Sequence, residues 1–392
     1  MTSPSTSGSG VTAPGGFSAA GVVAHIRSDG RADLALVRNE GPDFHAAGVF
    51  TSNRVFAAPV GWSRAAVADG RLVAVILNSG GANACTGEPG RADSAATAAA
   101  VAAEVGCEAT DVAVCSTGLI GVRLPMPKLL DAIPTAVREL SVDGGNRAAR
   151  AIMTTDTVPK EASVSDPSGY TVGGMAKGAG MLAPGLATML VVLTTDAVVS
   201  PTDLDRSLRA ATRVTFDRAD SDGCMSTNDT VLLLANGASG VKPEVGEFTV
   251  ALTEVCRRLA VGLIADAEGA DHEIAVEVVA AASEDDAVEV ARAVARSNLF
   301  KCAIAGNDPN WGRVLAAVGT TRAAFDPERL DVSFNGVPVY VQGGLGADRS
   351  EVDLGPRRVQ VRIALNAGDQ SATVWTNDLT HAYVSENADY PS

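Results

Sequence analysis

The stretch Gly174-Met-Ala-Lys-Gly-Ala-Gly-Met-Leu-Ala-Pro-Gly-Leu-Ala-Thr-Met-Leu-Val-Val-Leu-Thr-Thr-Asp196 lies near the middle of the 392-residue chain and joins two textures. Up to Pro184-Gly185 it reads as loop, because Gly174, Gly178, Gly180 and Gly185 fall too close together for a helix. From Met189 to Leu193 it is an unbroken apolar run with valines, the pattern of a strand buried on both faces. Thr188 sits at the junction. A hydroxyl placed where a glycine-rich loop meets a buried strand is suited to be a fixed nucleophile; many such threonines serve only β-propensity and a local hydrogen bond. Pro184, Gly185 and Thr194-Thr195-Asp196 break the apolar run well short of the ~20 residues a membrane span needs.

Outward from Thr188, the run Lys177-Gly-Ala-Gly-Met-Leu-Ala-Pro-Gly-Leu-Ala-Thr-Met-Leu190 resembles the signature of the ornithine acetyltransferase (glutamate N-acetyltransferase) family of arginine biosynthesis. The resemblance implies one chain that cuts itself between Ala187 and Thr188 into segments 1–187 and 188–392, with Thr188 as the new N-terminal nucleophile. It implies an α/β (α+β) fold, an αββα four-layer sandwich core resembling self-processing aminopeptidases, plus a smaller C-terminal α/β domain. Several further segments match, so it covers nearly the whole chain.

Composition sets the class. Hydrophobic residues at 46% and charged residues at 20% are an ordinary globular balance. A formal charge of −15 argues against nucleic acid and anionic membrane as partners. Lysines are few, so Lys160 and Lys177 beside the central stretch stand out as places to hold a carboxylate. The six cysteines contain no CxxC pair and read as buried free thiols of a cytoplasmic protein; the four histidines lack metal-ligand spacing. No metal and no bound cofactor are expected. The Ser/Thr/Gly-rich start reads as a disordered tail over 1–14, without the basic and apolar regions of a signal peptide.

The first half alternates strands with polar loops. Gly21–Ile26 and Ala32–Val37 read as a strand pair turning at Asp29-Gly30. Leu72–Leu77 is a buried strand feeding Asn78-Ser-Gly-Gly-Ala-Asn-Ala-Cys-Thr-Gly87, which is similar to the family's Asn-rich loop beside the active site; a tight turn held by side chains reads the same residues equally well. Ser94 is expected to cap an Ala-rich helix to Glu104. Asp111–Cys115 is a strand opening into Ser116-Thr117-Gly118, where a hydroxyl and a free N–H can aim at one oxygen as an oxyanion hole requires. The resemblance assigns that role to Thr117 and Gly118. Ala149-Arg-Ala-Ile-Met-Thr-Thr-Asp-Thr-Val-Pro-Lys160 is similar to a family segment whose hydroxyls and aspartate could hold a substrate's amide and amine; Thr154 is the expected contact and Thr155 its rival.

In the second half, Thr202 to Val214 reads as a helix with a Thr202/Asp205 cap. Asp220-Ser-Asp-Gly223 fails the calcium-loop frame because Arg218 would hold its first position. Ser226–Thr230 is a polar loop before the strand Val231–Leu234, and Glu247–Ala265 is a helix. The resemblance places Glu268 at the substrate, where a carboxylate suits ornithine's ammonium, while Ala270-Asp-His-Glu273 departs from the usual Ala-Thr-Lys. Strand Ile274–Val279, a helix from Ser283 to Leu299 and strand Cys302–Ala305 follow. Next come the family-like Gly306–Arg313, a hairpin turning at Asn335-Gly336, and a second hairpin from Arg358–Leu365 and Ala372–Trp375. The core domain is therefore set at 15–274 and the smaller domain at 275–392; the resemblance implies that its tail, which by composition would fray, returns to the site. By position Asn387 and Ser392 match the family's last substrate contacts.

The chemistry that the resemblance implies is ping-pong acyl transfer from N-acetylornithine to glutamate through acetyl-Thr188, with Lys177 on the α-carboxylate that both substrates share and two chains of each kind in an α2β2 assembly. Acetyl-CoA is a possible further donor, which would make the enzyme bifunctional. A self-processing amidase or aminopeptidase, with water as acceptor, is the runner-up. No P-loop or Rossmann glycine pattern points to a nucleotide.

Overall fold

The computed structural model describes residues 9–183 and 189–389. Two sheets stack face to face. The first, in order β1-β2-β4-β5, is built from β1 (Phe17–Val22), β2 (Leu34–Asn39), β4 (Ala74–Asn78) and β5 (Val112–Ser116). The second, in order β3-β9-β8-β7-β6, is built from β3 (His45–Phe50), β6 (Lys160–Ser165), β7 (Thr171–Lys177), β8 (Leu190–Thr195) and β9 (Thr230–Ala235). Val37, Val75 and Leu77 of the first sheet and Leu190, Val192 and Leu232 of the second share one buried apolar layer. Burial on both faces explains why β8 and β9 read as unbroken apolar runs rather than alternating ones.

Helices close both outer faces. α2 (Gly87–Val105) and α3 (Met126–Arg138) cover the first sheet through Ala98, Val101, Leu129 and Ile133. α5 (Pro201–Arg213) and α6 (Val245–Ala265) cover the second through Leu204, Leu208, Leu252 and Leu259. The result is the four-layer αββα sandwich that the family resemblance implies. α1 (Ala58–Ala66) lies against β5, where Ser63 Oγ donates to the Val114 carbonyl and accepts the Val114 N–H. α4 (Gly145–Ala151) packs under β1 and β2.

Past α6 a six-stranded sheet runs β13-β12-β11-β14-β10-β15. Its strands are β10 (Glu273–Ala281), β11 (Asp331–Phe334), β12 (Val337–Val341), β13 (Gly344–Leu345), β14 (Arg358–Ala364) and β15 (Gln370–Asn377). α7 (Glu284–Ala295), α8 (Asn298–Ala305) and α9 (Trp311–Val318) share an apolar cluster with it, and α10 (His381–Asp389) ends the described chain. Trp311 stacks on Tyr340 with ring centres 5.1 Å apart, and Arg313 Nη1 donates to the Leu299 carbonyl, so these two pack and brace.

Several expectations are corrected. Gly174 to Lys177 is not loop but the end of β7: a Cβ on Gly173 would lie 2.1 Å from the Gly10 carbonyl, so the glycines there serve close approach. Residues 10–12, within the expected tail, form a buried 3₁₀ turn whose Val11 carbonyl accepts from Thr194 Oγ1. α2 begins at Gly87, and Ser94 lies inside it, donating back to the Gly90 carbonyl. Ser200, not Thr202, caps α5 by accepting the Asp203 N–H. Cys302–Ala305 belongs to α8, capped by Ser297; four apolar residues could not tell helix from strand. β14 and β15 form no hairpin, because β10 lies between them, parallel to β14 and antiparallel to β15. Of the six free cysteines only Cys115 and Cys256 are buried; Cys85, Cys224 and Cys302 are exposed. No described helix is long and apolar enough to cross a membrane.

Candidate active site

The site forms where strands of both sheets end together. Lys177 is the last residue of β7, and Thr117 and Gly118 follow β5. The Thr117 N–H donates to the Asn78 carbonyl at the end of β4, and the Thr117 carbonyl accepts the Gly81 N–H, both at 3.0 Å. Asn78 Nδ2 donates to the Gly81 carbonyl, and Asn83 Nδ2 to the Gly90 carbonyl. The Asn-rich loop is thus a side-chain-held turn that also supplies Ala82 to the pocket wall. Gly118 sits at φ +128°, and a Cβ there would come within 2.7 Å of the Gly81 nitrogen. Its N–H has no acceptor among the described residues, as an oxyanion donor needs.

Thr117, Gly118, Thr154, Lys177, Glu268 and Asn387 line one pocket of about 120 Å³. Lys177 is buried, and its Nζ donates to Thr154 Oγ1 (2.7 Å) and Thr117 Oγ1 (3.3 Å). Burial lowers its pKa, against the pull of Asp156. Thr155 also faces the site: its Oγ1 donates to Glu268 Oε1 at 2.8 Å, and Asn387 Nδ2 donates to Glu268 Oε2 at 3.0 Å. Gly180 makes room for that carboxylate, since a Cβ there would lie 2.5 Å from Oε2. The departure at Ala270–Glu273 leaves Glu268 in place. His272 is buried with its ring nitrogens 2.8 Å from Asp378 Oδ2 and 3.0 Å from the Leu354 carbonyl, anchoring the base of the tail. Ala187, Thr188 and Ser392 lie outside the described residues.

Asp156 does not hold a substrate amine. Its side chain is fully buried; it accepts the Thr154 and Gly178 N–H groups and pairs with Lys160 Nζ at 2.6 Å. Burial alone would raise its pKa, but Lys177 and Lys160 outweigh it and hold the carboxyl at about 2. Lys160 Nζ also meets Asp266 Oδ2 at 2.6 Å, which ties the Thr154 loop to the end of α6, two residues before Glu268. Asn228, not singled out in the sequence, lines the pocket, and Asp229 follows it at the head of β9. Asn228 Nδ2 donates to the Ala82 and Ser116 carbonyls, and Asp229 Oδ1 accepts the Met189 N–H. The local signal was only an Asn-Asp pair before a strand. Among the described residues no three His, Cys, Asp or Glu side chains converge as a metal would need.

A pocket that joins oxyanion-type donors, a buried ammonium and a carboxylate at the ends of two sheets fits acyl transfer on an amino-acid substrate. The family model for ArgJ matches residues 18–392. The arginine biosynthesis bifunctional protein ArgJ of Streptomyces coelicolor is 62% identical over 382 residues, covering 97% of this chain and 100% of that protein. That of Thermobifida fusca is 62% identical over 380 residues, covering 97% and 99%. Among solved structures, ornithine acetyltransferase complexed with ornithine from Mycobacterium tuberculosis is 58% identical, covering 46% of this chain and 96% of that one, with a TM-score of 0.45. With a family model spanning all but its first residues and relatives this similar over their full length, the chain belongs to the ArgJ family.

Proposed function

We propose that the chain is an acetyltransferase of arginine biosynthesis that cuts itself between Ala187 and Thr188 and then moves the acetyl group of N-acetylornithine to glutamate. The observation that carries this reading is the convergence of Thr117, Gly118, Thr154, Lys177, Glu268 and Asn387 on one pocket, in a chain 62% identical to a named arginine biosynthesis protein. In the precursor, Thr188 Oγ attacks the Ala187 carbonyl and the acyl group moves from nitrogen to oxygen, which frees the Thr188 amine; water then hydrolyses the ester, leaving the Ala187 carboxylate and the Thr188 hydroxyl. An N-terminal amine has a pKa of about 7.7–8.0, so enough is neutral to take the proton of its own hydroxyl. Thr188 Oγ then attacks the acetyl carbonyl. Thr117 Oγ1 and the Gly118 N–H receive the oxyanion, and the proton passes to ornithine's departing nitrogen. Glutamate's amine attacks the acetyl ester and restores the hydroxyl. Lys177 holds the shared α-carboxylate with the Nζ proton that Thr117 and Thr154 leave free. Glu268, with Asn387 and Thr155 on its two oxygens, receives the substrate's cationic end.

The word bifunctional in the relatives' name favours a second donor, and acetyl-CoA is the one we assign. The proposal also includes an α2β2 assembly and Ser392 as a closing contact. The test is the intact mass of the denatured protein beside Thr188→Ala. The wild type is expected as two fragments, the larger starting at Thr188 and gaining an acetyl mass with N-acetylornithine, and the variant as one chain. A single uncut wild-type chain overturns the mechanism, and turnover of N-acetylornithine without acetylglutamate leaves the amidase reading.

A further inference from the structure

Lys301 is a buried lysine that the chemistry above does not use. It stands in α8, outside the pocket lining, and its Nζ donates to the Ser221 carbonyl and to Thr376 Oγ1 at 3.4 Å. These acceptors are a carbonyl and a hydroxyl rather than a carboxylate. Burial lowers the lysine's pKa, while Asp222, Asp220 and Asp378 act to keep its proton. A buried ammonium is costly where an unbranched apolar side chain would serve packing alone, so its place calls for a use.

The Ser221 carbonyl belongs to the same peptide unit as the Asp222 N–H, which donates to the Leu182 carbonyl at 3.3 Å. The Ser221 N–H donates to that same carbonyl at 2.6 Å, and Asp222 Oδ2 accepts the Met181 N–H at 2.7 Å. Residues 221–222 thus grip the chain at both Met181 and Leu182. Met181 needs such a grip: its φ is +56°, a left-handed conformation that a residue with a side chain keeps only where its surroundings impose it. Both Gly180 and Met181 line the pocket. Gly180 is the residue whose missing Cβ makes room for the Glu268 carboxylate, and the Ala179 carbonyl accepts the Glu268 N–H at 2.9 Å. An ammonium on the Ser221 carbonyl polarises that peptide and strengthens the N–H at its other end. We infer that Lys301 is a positioning residue for the cationic end of the substrate: it fixes residues 221–222, which hold Met181 in its left-handed turn and so keep Gly180 against Glu268. The Lys301 carbonyl also accepts the Leu379 N–H at 3.4 Å, just before α10, the helix that brings Asn387 to Glu268. One residue of α8 thereby reaches two segments that meet at Glu268.

This role rests on the proposed acetyl transfer, and the experiment includes one readout that does not. Full-length wild type and Lys301→Met are compared by intact mass, melting, hydrogen exchange over residues 178–183, and steady-state kinetics with N-acetylornithine and glutamate. Methionine keeps an unbranched side chain but cannot donate. Exchange at Met181 is expected to speed up roughly 10-fold, whether or not the chain cuts itself, because the Asp222 hold on its N–H is loosened. In a ping-pong reaction kcat/KM for each substrate reports its own half-reaction. The value for N-acetylornithine is expected to fall about 10-fold and that for glutamate to stay within about threefold, since glutamate's side chain brings no cation to Glu268. A lysine that served stability alone would lower both values alike, together with the melting point. Unchanged exchange at Met181 overturns the inference, and so does an equal fall for both substrates. A variant that stays uncut beside a cut wild type also overturns it, by placing the lysine's effect in the precursor. Should the Met protein fail to fold, Lys301→Gln, which keeps a neutral donor, is held to the same criteria. An uncut wild type would fail the self-cleaving reading, and exchange alone would then decide whether Lys301 holds the turn.

Discussion

Lys177 Nζ has three protons, and two of them go to the Thr154 and Thr117 hydroxyls. The third is the one a substrate carboxylate can take. Because the ammonium is buried and Asp156 stands 3.9 Å away, its charge is offset but not consumed by a short ion pair. A charge-assisted hydrogen bond of this kind is worth about 1.5–3 kcal/mol, or roughly 10–100-fold in binding. Lys177→Met keeps the volume and loses the charge. It is expected to raise KM for both N-acetylornithine and glutamate by about that factor, since both present an α-carboxylate. Lys177→Arg should not restore it, because a planar fork does not fit the site of a compact ammonium held by two hydroxyls. Steady-state kinetics with each substrate varied in turn checks this. A defect confined to one substrate would remove Lys177 from the shared carboxylate.

Among the elements, α10 is the least buried and yet it delivers Asn387 to Glu268. It is seated by backbone rather than by an apolar face: Thr380 Oγ1 donates to the Gly269 carbonyl, and a Cβ on Gly269, at φ +63°, would lie 2.2 Å from the Tyr383 nitrogen. Gly269→Ala must therefore push the helix away, and the atom it meets is main chain, which cannot swing aside. The expected result is a KM for N-acetylornithine raised about 10-fold with a smaller change in kcat, because Glu268 keeps Thr155 but loses Asn387. Unchanged KM would mean that the tail does not serve the site. The sequence could not foresee this helix, since the 16 terminal residues, mostly polar, carry no apolar stripe. Where the determinant was local, reading succeeded: Asn335-Gly336 turns its hairpin with both residues at positive φ, and Ser283 caps α7 by accepting the Asp286 N–H. Where it was distant, reading failed. Gly174 looks like loop until the Leu193 and Leu259 side chains are seen against it, and β14 looks paired with β15 until β10 is found between them. The six pocket residues were placed by the family resemblance that short motifs carry, whereas Asp156 and Asp229 owe their character to burial by segments far along the chain.

At the scale of the whole molecule, a cut at Ala187–Thr188 would not separate two bodies. β8 and β9 belong to segment 188–392, and they lie between β3 on one side and β7 with β6 on the other, all from segment 1–187. Polar ties cross the same seam: Lys160 to Asp266, and Asp222 Oδ2, which accepts the Met181 N–H at 2.7 Å. Asp222 titrates in a useful range. Burial raises its pKa to about 6, with the Cys224 and Met181 N–H groups and Lys301 opposing and Asp220 reinforcing. A carboxyl that holds its proton more tightly when folded than when unfolded contributes stability that is present below the unfolded pKa of 3.8 and is lost as pH rises through about 6. The shift corresponds to about 3 kcal/mol. Asp156 runs the other way, but its window lies between 3.8 and about 2, so it adds no slope above pH 4. Asn at position 222 cannot titrate. In uncut Thr188→Ala chains, where one molecule unfolds as one, the stability of Asp222 protein relative to Asp222→Asn is therefore expected to rise by about 2.5 kcal/mol from pH 7 to pH 4. Denaturant unfolding at the two pH values measures it. A difference that stays constant would mean that Asp222 is ionised throughout, and that the turn at Met181 is held by a charge the surroundings already satisfy.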